Sequence, residues 1–228
     1  MKKLGLTNNQ LKIIAMLSML IDHIGVQLFP NLQILRIIGR LALPIFAYMI
    51  AEGCFYTKNR VKYLSLIAAL ATLRQIVYFI ADGSLYMGIL VTFSLSIITI
   101  FAIDGFLKTK NVASIALMFL TVGAVLFLAL ALPKILMSYG FSIDYGIFGI
   151  ALPVAVYFAK GKWEKLIAAT IVMSALAATS STVQWFSLAA LPLLFLYNGQ
   201  RGKLNLKYLF YIFYPSHLVI LYLIDIIF

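Results

Sequence analysis

The sequence predicts an all-α fold, a polytopic transmembrane helix bundle with about nine membrane-spanning helices. Of the 228 residues, 64% are hydrophobic and 11% are charged, whereas soluble domains are about half apolar and a quarter charged. A water-soluble domain leaves much of its surface in water and could not bury so much apolar surface. Little sequence remains for a separate aqueous domain, so residues 1–228 are predicted to form a single membrane domain.

Nine apolar runs approach the length of about 20 residues that a membrane-spanning helix needs. They are residues 13–29, 34–56, 63–81, 86–107, 112–132, 145–159, 166–180, 182–197 and 208–227. The sixth, seventh and eighth runs are short. Residues 163–197 could therefore form two short spans, or one span and a re-entrant segment, and eight or ten spans remain alternatives.

Basic residues predict the orientation of these helices. Fourteen of the 18 lysines and arginines fall on one side of the nine spans: Lys2, Lys3, Lys12, Lys58, Arg60, Lys62, Lys108, Lys110, Lys160, Lys162, Lys165, Arg201, Lys203 and Lys207. Cytoplasmic loops are enriched in lysine and arginine, so the N-terminus is predicted to be cytoplasmic and the C-terminus external. The net charge of +11 then fits an anionic membrane surface and its lipids, and no nucleic-acid partner is expected.

The sequence also excludes a disulfide, a CxxC-type site and a cleaved signal peptide. The single cysteine, Cys54, excludes an internal disulfide and a CxxC-type metal or redox site, and no metal is expected. The first apolar run is followed by further spans and is predicted to be a retained helix rather than a cleaved signal peptide.

Ionisable side chains within the predicted spans are candidates for function, because a charge at membrane depth usually meets a partner or a polar cavity. They are Asp22, His23, Arg40, Glu52, Arg74, Asp104 and His217. Asp22 points about 100° away from His23 around the helix and is predicted to pair with an arginine. For Arg74 and Glu52, a structural ion pair explains the position as well as a function does.

The two histidines are predicted to lie at a similar depth. His23 follows Lys12 by eleven residues and His217 follows Lys207 by ten, which places both roughly 15–16 Å beyond a cytoplasmic lysine. Imidazole is the side chain best suited to proton transfer near neutral pH. The alternative for either histidine is an interhelical hydrogen bond without chemistry.

A basic strip, residues 58–62, lies at the predicted cytoplasmic end of the bundle together with Lys12. Lysine and arginine at the mouth of a membrane cavity suit an anionic ligand that carries phosphate. The alternative is that the strip only fixes the topology.

Several motifs resemble those of the TraX family of pilin N-acetylases and, more distantly, the wider transmembrane acyltransferase superfamily. The longest is GRLALPIFA at residues 39–47, which continues to AEG at 51–53 and TKNR at 57–60. The others are DHIG at 22–25, SIDYG at 142–146, FYPSHL at 213–218 and the spacing of Lys12 and His23.

The resemblance implies an acetyltransferase of the bacterial cytoplasmic (inner) membrane that uses acetyl-CoA as its co-substrate. It implies that His23 is the catalytic residue, with Arg40 and Asp144 near it. It also implies that Lys12, Lys58, Arg60 and Lys62 are candidates for binding the coenzyme A phosphates. The acceptor amine or hydroxyl could belong to a protein N-terminus such as that of a pilin, to a sugar or to a lipid.

Two other functions are compatible with the sequence. One is a proton-coupled transporter in which His23 and His217 relay protons. The other is an assembly or scaffold protein in which pairs such as Asp22 and Arg40 are purely structural.

Overall fold

The computed structural model describes residues 4–203 and 206–227, without the side chains of residues 81, 82, 207, 208, 210, 211 and 226. Lys2 and Lys3, which belong to the topology prediction, lie outside the described residues. In chain order the helices are α1 (Asn8–Gln27), α2 (Gln33–Gly39), α3 (Ala42–Tyr56), α4 (Arg60–Asp82), α5 (Ile89–Thr109), α6 (Val112–Leu126), α7 (Leu132–Ile135), α8 (Gly146–Phe158), α9 (Lys162–Ala178), α10 (Leu191–Phe195) and α11 (Lys207–Ile227).

The prediction of an all-α membrane helix bundle is confirmed. Within the described residues, four helical runs are long and apolar enough to cross a bilayer: Gln33–Tyr56, Arg60–Ile80, Ile89–Thr109 and Val112–Ile135. Gly146–Phe158, Thr182–Phe195 and Ile212–Asp225 are shorter apolar helices. The total of nine spans stays a prediction.

Three of the predicted spans are interrupted or irregular. The span 34–56 divides into α2 and α3, with Pro44 in the first turn of α3, where a missing amide hydrogen is tolerated. Between α6 and α7, Phe127–Ala131 forms a π-helix, and Pro133 follows it in the first turn of α7. Thr182–Ala190, predicted as the start of a span, is a 3₁₀-helix that leads into α10.

Polar side chains define where several helices begin. Thr7 and Gln10 form a reciprocal capping box at the start of α1, which satisfies two backbone amides that have no partner within the helix. Asn59 accepts a hydrogen bond from the Lys62 amide at 2.8 Å at the start of α4. The motif TKNR at 57–60 therefore contains a helix cap.

Contacts divide the chain into two compact units. Unit 1 contains the described parts of Met1–Met49 and Gly161–Phe228, and unit 2 contains Ile50–Lys160. In unit 1, α1 packs against α2 and α11, α2 packs against the 3₁₀-helix, and α9 packs against the 3₁₀-helix and α10. The Leu6 backbone also pairs with the segment after α10, since the Leu6 amide donates to the Leu196 carbonyl at 2.8 Å.

Helix α5 is the centre of unit 2 and packs against α4, α6 and α8. The fully buried Ser96 hydroxyl donates to the Ile150 carbonyl on α8 at 2.9 Å. Two short segments outside the helices, β1 (Tyr86–Met87) and β2 (Ser142–Ile143), form a parallel pair.

Candidate active site

The structure brings His23 on α1 and His217 on α11 into contact inside unit 1. Their ring centroids are 5.1 Å apart and the rings meet edge to face at 70°. His217 is only 3% exposed and its ring stacks on the Phe213 ring, with the centroids 4.8 Å apart. The two histidines thus form one imidazole pair, in which His217 is buried and His23 is half-buried.

Hydrogen bonds to the backbone define the tautomer of each ring. The Nδ1 atom of His23 lies 2.8 Å from the Met19 carbonyl oxygen, and the Nδ1 atom of His217 lies 2.8 Å from the Phe213 carbonyl oxygen. A carbonyl only accepts, so each Nδ1 carries a proton and donates it, and the lone pair of a neutral ring is on Nε2. The His217 Nε2 atom is buried and, among the described residues, has no hydrogen-bond partner.

The prediction that Asp22 pairs with an arginine is confirmed. Its Oδ1 atom lies 2.6 Å from Nη2 of Arg40, and its Oδ2 atom lies 2.6 Å from Nη1 of Arg36. The Arg40 guanidinium also donates to Gln184 and to the Arg36 carbonyl, each at 3.2 Å. This cluster of two arginines and one carboxylate begins one residue before His23.

Gly39 allows the close approach of α1 and α2 that this cluster needs. A Cβ atom on Gly39 would overlap the Asp22 carboxylate. Nearby, the Ser18 hydroxyl donates to the Ile38 carbonyl at 2.6 Å and to the Gly39 carbonyl at 3.2 Å. At the start of the GRLALPIFA motif, Gly39 therefore leaves room for the Asp22 side chain, and Arg40 provides the positive charge that pairs with it.

Lys12, the other predicted site residue of α1, lies near Arg201 in unit 1. Burial, together with the smaller effect of the positive charge of Arg201, lowers the pKa of the Lys12 ammonium to about 8. Lys12 precedes the first predicted span.

The remaining basic candidates lie in unit 2, where the structure gives Arg60 a partner that was not predicted. Arg60 forms an ion pair with Asp104 on α5, and Lys108 binds the same carboxylate at 2.8 Å. Lys58 and Lys62 are exposed. Glu52 is buried on α3, in the same unit.

Asp144 belongs to a second polar cluster, also in unit 2, beside the paired strands. The Tyr86 hydroxyl donates to Asp144 Oδ1 at 2.5 Å. Burial raises the pKa of Tyr86 well above its usual range, and the Asp144 carboxylate raises it further, so the phenol remains a donor. Arg74 donates to the Tyr86 carbonyl at 3.0 Å and lies 3.7 Å over the Tyr78 ring. The predicted proximity of Asp144 to His23 and Arg40 stays a prediction.

Some of these residues were not singled out in the sequence. Gly39 allows the close approach of α2 to Asp22, and the side-chain amide oxygen of Gln184 accepts a hydrogen bond from Arg40. The signal for Gly39 was its position before an intramembrane arginine. No periodicity or charge in the sequence points to Gln184.

Comparisons with known proteins cover most of the chain. A family model described as TraX protein matches residues 7–225. The probable fimbrial assembly protein FimC, serogroup H1, of Dichelobacter nodosus is 28% identical over an alignment 245 positions long, which covers 93% of each chain. The uncharacterized protein RP591 of Rickettsia prowazekii (strain Madrid E) is 45% identical over 60 residues, 25% of this chain and 24% of that protein. No solved structure matches the chain.

Proposed function

Since the chain belongs to the TraX family, we propose that it is an integral membrane acetyltransferase with His23 as its catalytic residue. The donor is acetyl-CoA from the cytoplasm, and the acceptor is an amine or hydroxyl. A relative described as a fimbrial assembly protein makes a pilin N-terminus or another envelope component the first acceptor to test. The cytoplasmic membrane of a bacterium, with a cytoplasmic N-terminus, is the location this proposal requires.

The contact between half-buried His23 and buried His217 is the observation that carries the proposal. A general base must present a lone pair, and the hydrogen bond from Nδ1 of His23 to Met19 leaves that lone pair on Nε2. The neighbouring His217 has a buried Nε2 that can hold a proton.

In the proposed reaction, the acceptor nitrogen or oxygen attacks the thioester carbonyl carbon of acetyl-CoA while His23 Nε2 removes the acceptor's proton. The carbon–sulfur bond then breaks, the thiolate of coenzyme A leaves, and the imidazolium returns a proton to it. Acetylated acceptor and free coenzyme A are the products. An acetyl-histidine intermediate on Nε2 is the alternative route to the same products.

The charged cluster beside His23 suits the negative charge that develops on the thioester oxygen. Asp22 holds the Arg40 guanidinium in place at 2.6 Å, and a fixed guanidinium can stabilise an oxyanion. We assign Arg40 this electrostatic role. Asp144, whose carboxylate is oriented by Tyr86, is assigned to the acceptor, because a carboxylate can bind and orient an amine.

The test is acetyl transfer by purified protein in nanodiscs, with radiolabelled acetyl-CoA and three acceptors: a peptide with a free α-amine, its N-acetylated counterpart and an amino sugar. Release of the coenzyme A thiol is measured in parallel. His23→Ala should abolish both signals, whereas Gln27→Ala, one turn further along α1, should retain them. If a folded His23→Ala protein transfers acetyl groups at the wild-type rate, the assignment of His23 is wrong.

The same histidine pair favours one other function, proton-coupled transport. Intramembrane histidines in contact can relay a proton as well as serve catalysis. Proteoliposomes with an imposed proton gradient and no coenzyme A distinguish the two. Solute uptake that depends on His23 and His217, without thiol release in the transfer assay, would replace the acetyltransferase proposal with a transporter.

A further inference from the structure

An apolar groove lies between α4 and α5 in unit 2. It has a volume of about 310 Å³, and its lining includes Ala68, Ala71, Thr72, Gln75, Ile76 and Ser94. The residues from α4 recur three or four positions apart, so they form one stripe along that helix. From Ala68 to Ile76 the stripe is about 12 Å long. Thr72 and Ile76 are exposed, so the groove opens onto the surface of α4.

Two polar side chains that line the groove are engaged in hydrogen bonds outside it. The Ser94 hydroxyl donates to the Leu90 carbonyl of its own helix at 2.8 Å. The Gln75 amide nitrogen donates to the Ser84 carbonyl, in the loop after α4, at 3.0 Å. An extended peptide in this groove would bury backbone N–H and C=O groups that need partners. A hydrocarbon chain has no such groups and fits the apolar lining.

Arg74 lies beside the end of the groove that is nearest the loop between α4 and α5. Its Nη1 atom donates to the Tyr86 carbonyl at 3.0 Å, and Tyr86 directly precedes Met87, which lines the groove. The same Nη1 atom donates to the Gln75 amide oxygen at 3.5 Å. A positive charge is thus placed at one end of an apolar groove.

Neutral groups hold the Arg74 guanidinium in place. Its Cζ atom lies 3.7 Å over the Tyr78 ring, and a Cβ atom on Gly88 would come within 2.7–3.0 Å of the guanidinium. The Arg74 Nε atom is buried and, within the part of the chain that the structure describes, has no acceptor. No carboxylate among the described side chains forms an ion pair with Arg74, and Asp144 binds the Tyr86 hydroxyl instead. A charge within a predicted span usually meets an opposite charge or a polar cavity, so this arginine suits an anion from outside the chain.

We propose that the groove and Arg74 bind one anionic glycerophospholipid, with its phosphate at Arg74 and one acyl chain in the groove. A phosphodiester carries one negative charge, which matches one guanidinium, and its oxygens accept the N–H donors of Nη2. The chain runs from Arg74 along α4 towards Ala68, away from the loop and into the predicted span. A membrane lipid reaches the groove sideways from the bilayer, and basic pockets between membrane helices are known to bind lipid head groups. This inference goes beyond the proposed function and does not depend on it, since neither coenzyme A nor acetyl transfer is involved.

Native mass spectrometry of the full-length protein tests the head-group contact, in micelles that contain equal amounts of phosphatidylglycerol and phosphatidylcholine. Wild-type protein should retain phosphatidylglycerol about tenfold more strongly, because a charge-assisted contact adds to the apolar contacts that both lipids make. Arg74→Gln should remove this preference. Lys134→Gln, which removes an exposed lysine from the same unit, should keep it within about twofold. Equal retention of the two lipids by wild-type protein would overturn the proposal.

A second pair of variants tests the acyl chain and decides the question even if Arg74→Gln does not fold. Thr72 is exposed on the rim of the groove, so Thr72→Phe fills the groove without displacing a buried side chain. It should weaken phosphatidylglycerol about tenfold, through lost apolar contact. Leu73→Phe is the matched control, because Leu73 is 51% exposed on α4 and does not line the groove. If Thr72→Phe binds the lipid as wild type does, the chain does not lie in this groove and the proposal is wrong.

Competition distinguishes a lipid from other anions. Inorganic phosphate has no acyl chain and should not displace phosphatidylglycerol from wild-type protein, whereas phosphatidylserine should. Displacement by inorganic phosphate alone would make Arg74 a phosphate site and refute the binding of a lipid. An apolar peptide with a C-terminal carboxylate is the other competitor. If that peptide displaces phosphatidylglycerol at a lower concentration than phosphatidylserine does, the groove binds peptides and the proposal fails.

Discussion

Replacing Asp22 with asparagine removes the carboxylate that binds both Arg36 and Arg40 while it keeps the shape of the side chain. The Arg40 side chain is only 10% exposed, whereas that of Arg36 is 33% exposed and can turn towards solvent or lipid head groups. Removing one partner of a buried ion pair costs about 3–5 kcal/mol. We expect the lower end, about 3 kcal/mol, because one of the two arginines is partly accessible.

Thermal unfolding in detergent measures this cost. For a chain of this length, 3 kcal/mol lowers the Tm by about 6–12 °C. Asp104→Asn is the matched control, because Asp104 has a similar side-chain exposure of 13% but partners, Arg60 and Lys108, that are 37% and 63% exposed. Those partners can be rehydrated, so the control should cost about 1 kcal/mol or less.

A double-mutant cycle decides whether the contact itself is responsible. Asp22→Asn/Arg40→Gln no longer buries the Arg40 charge beside a neutral residue 22 and should be more stable than Asp22→Asn alone. The reasoning is refuted if Asp22→Asn unfolds within 2 °C of wild type, or if the double variant is less stable than the single variant by the full cost of Arg40→Gln.

Three further changes have defined outcomes. Gly39→Ala should lower stability by about 1–3 kcal/mol in thermal unfolding, because its Cβ meets Asp22, whereas a Cβ on Gly123 meets nothing within 4 Å and Gly123→Ala should be neutral or slightly stabilising. Since the pKa of Lys12 falls from 10.5 to about 8, the unfolded chain binds more protons between these values and wild-type stability should rise with pH across that window. Lys12→Met should remove this rise of up to about 3 kcal/mol. Because burial raises the pKa of Tyr86, ultraviolet titration to pH 11 should give the same number of tyrosinates for Tyr86→Phe as for wild type.

The helix bundle could be predicted from the sequence because lipid leaves few solutions for an apolar chain. Backbone groups in a bilayer must be satisfied within the segment, so long apolar runs become helices. Hydropathy measures how apolar a run is but does not show where its helix is interrupted. The division of residues 34–56 between α2 and α3 was therefore not predicted. Pro44 was a cue to that break, but intramembrane prolines also occur within continuous helices.

In the candidate site, the pairing of opposite charges could be predicted from the sequence. Asp22 needed a partner at membrane depth, and arginine was the available cation. For His23 and His217, the sequence predicted a similar depth in the membrane but not their contact. The contact depends on how α1 packs against α11, a helix almost 200 residues later. The Arg60–Asp104 pair was missed because the sequence does not tell which face of α5 meets the start of α4.

The backbone pairing of Leu6, Asn8 and Asn9 with residues 196–201 constrains the order in which the protein can be assembled during synthesis. These partners are separated by about 190 residues, so the ribosome completes Ile50–Lys160 before the second half of the pairing exists. At that point all of unit 2 has been synthesised. The start of α1, in contrast, still lacks its hydrogen-bond partners in residues 196–201. A chain that is truncated before residue 196 is therefore expected to expose its N-terminal segment to proteases and quality control, although the lesion is at the opposite end of the sequence.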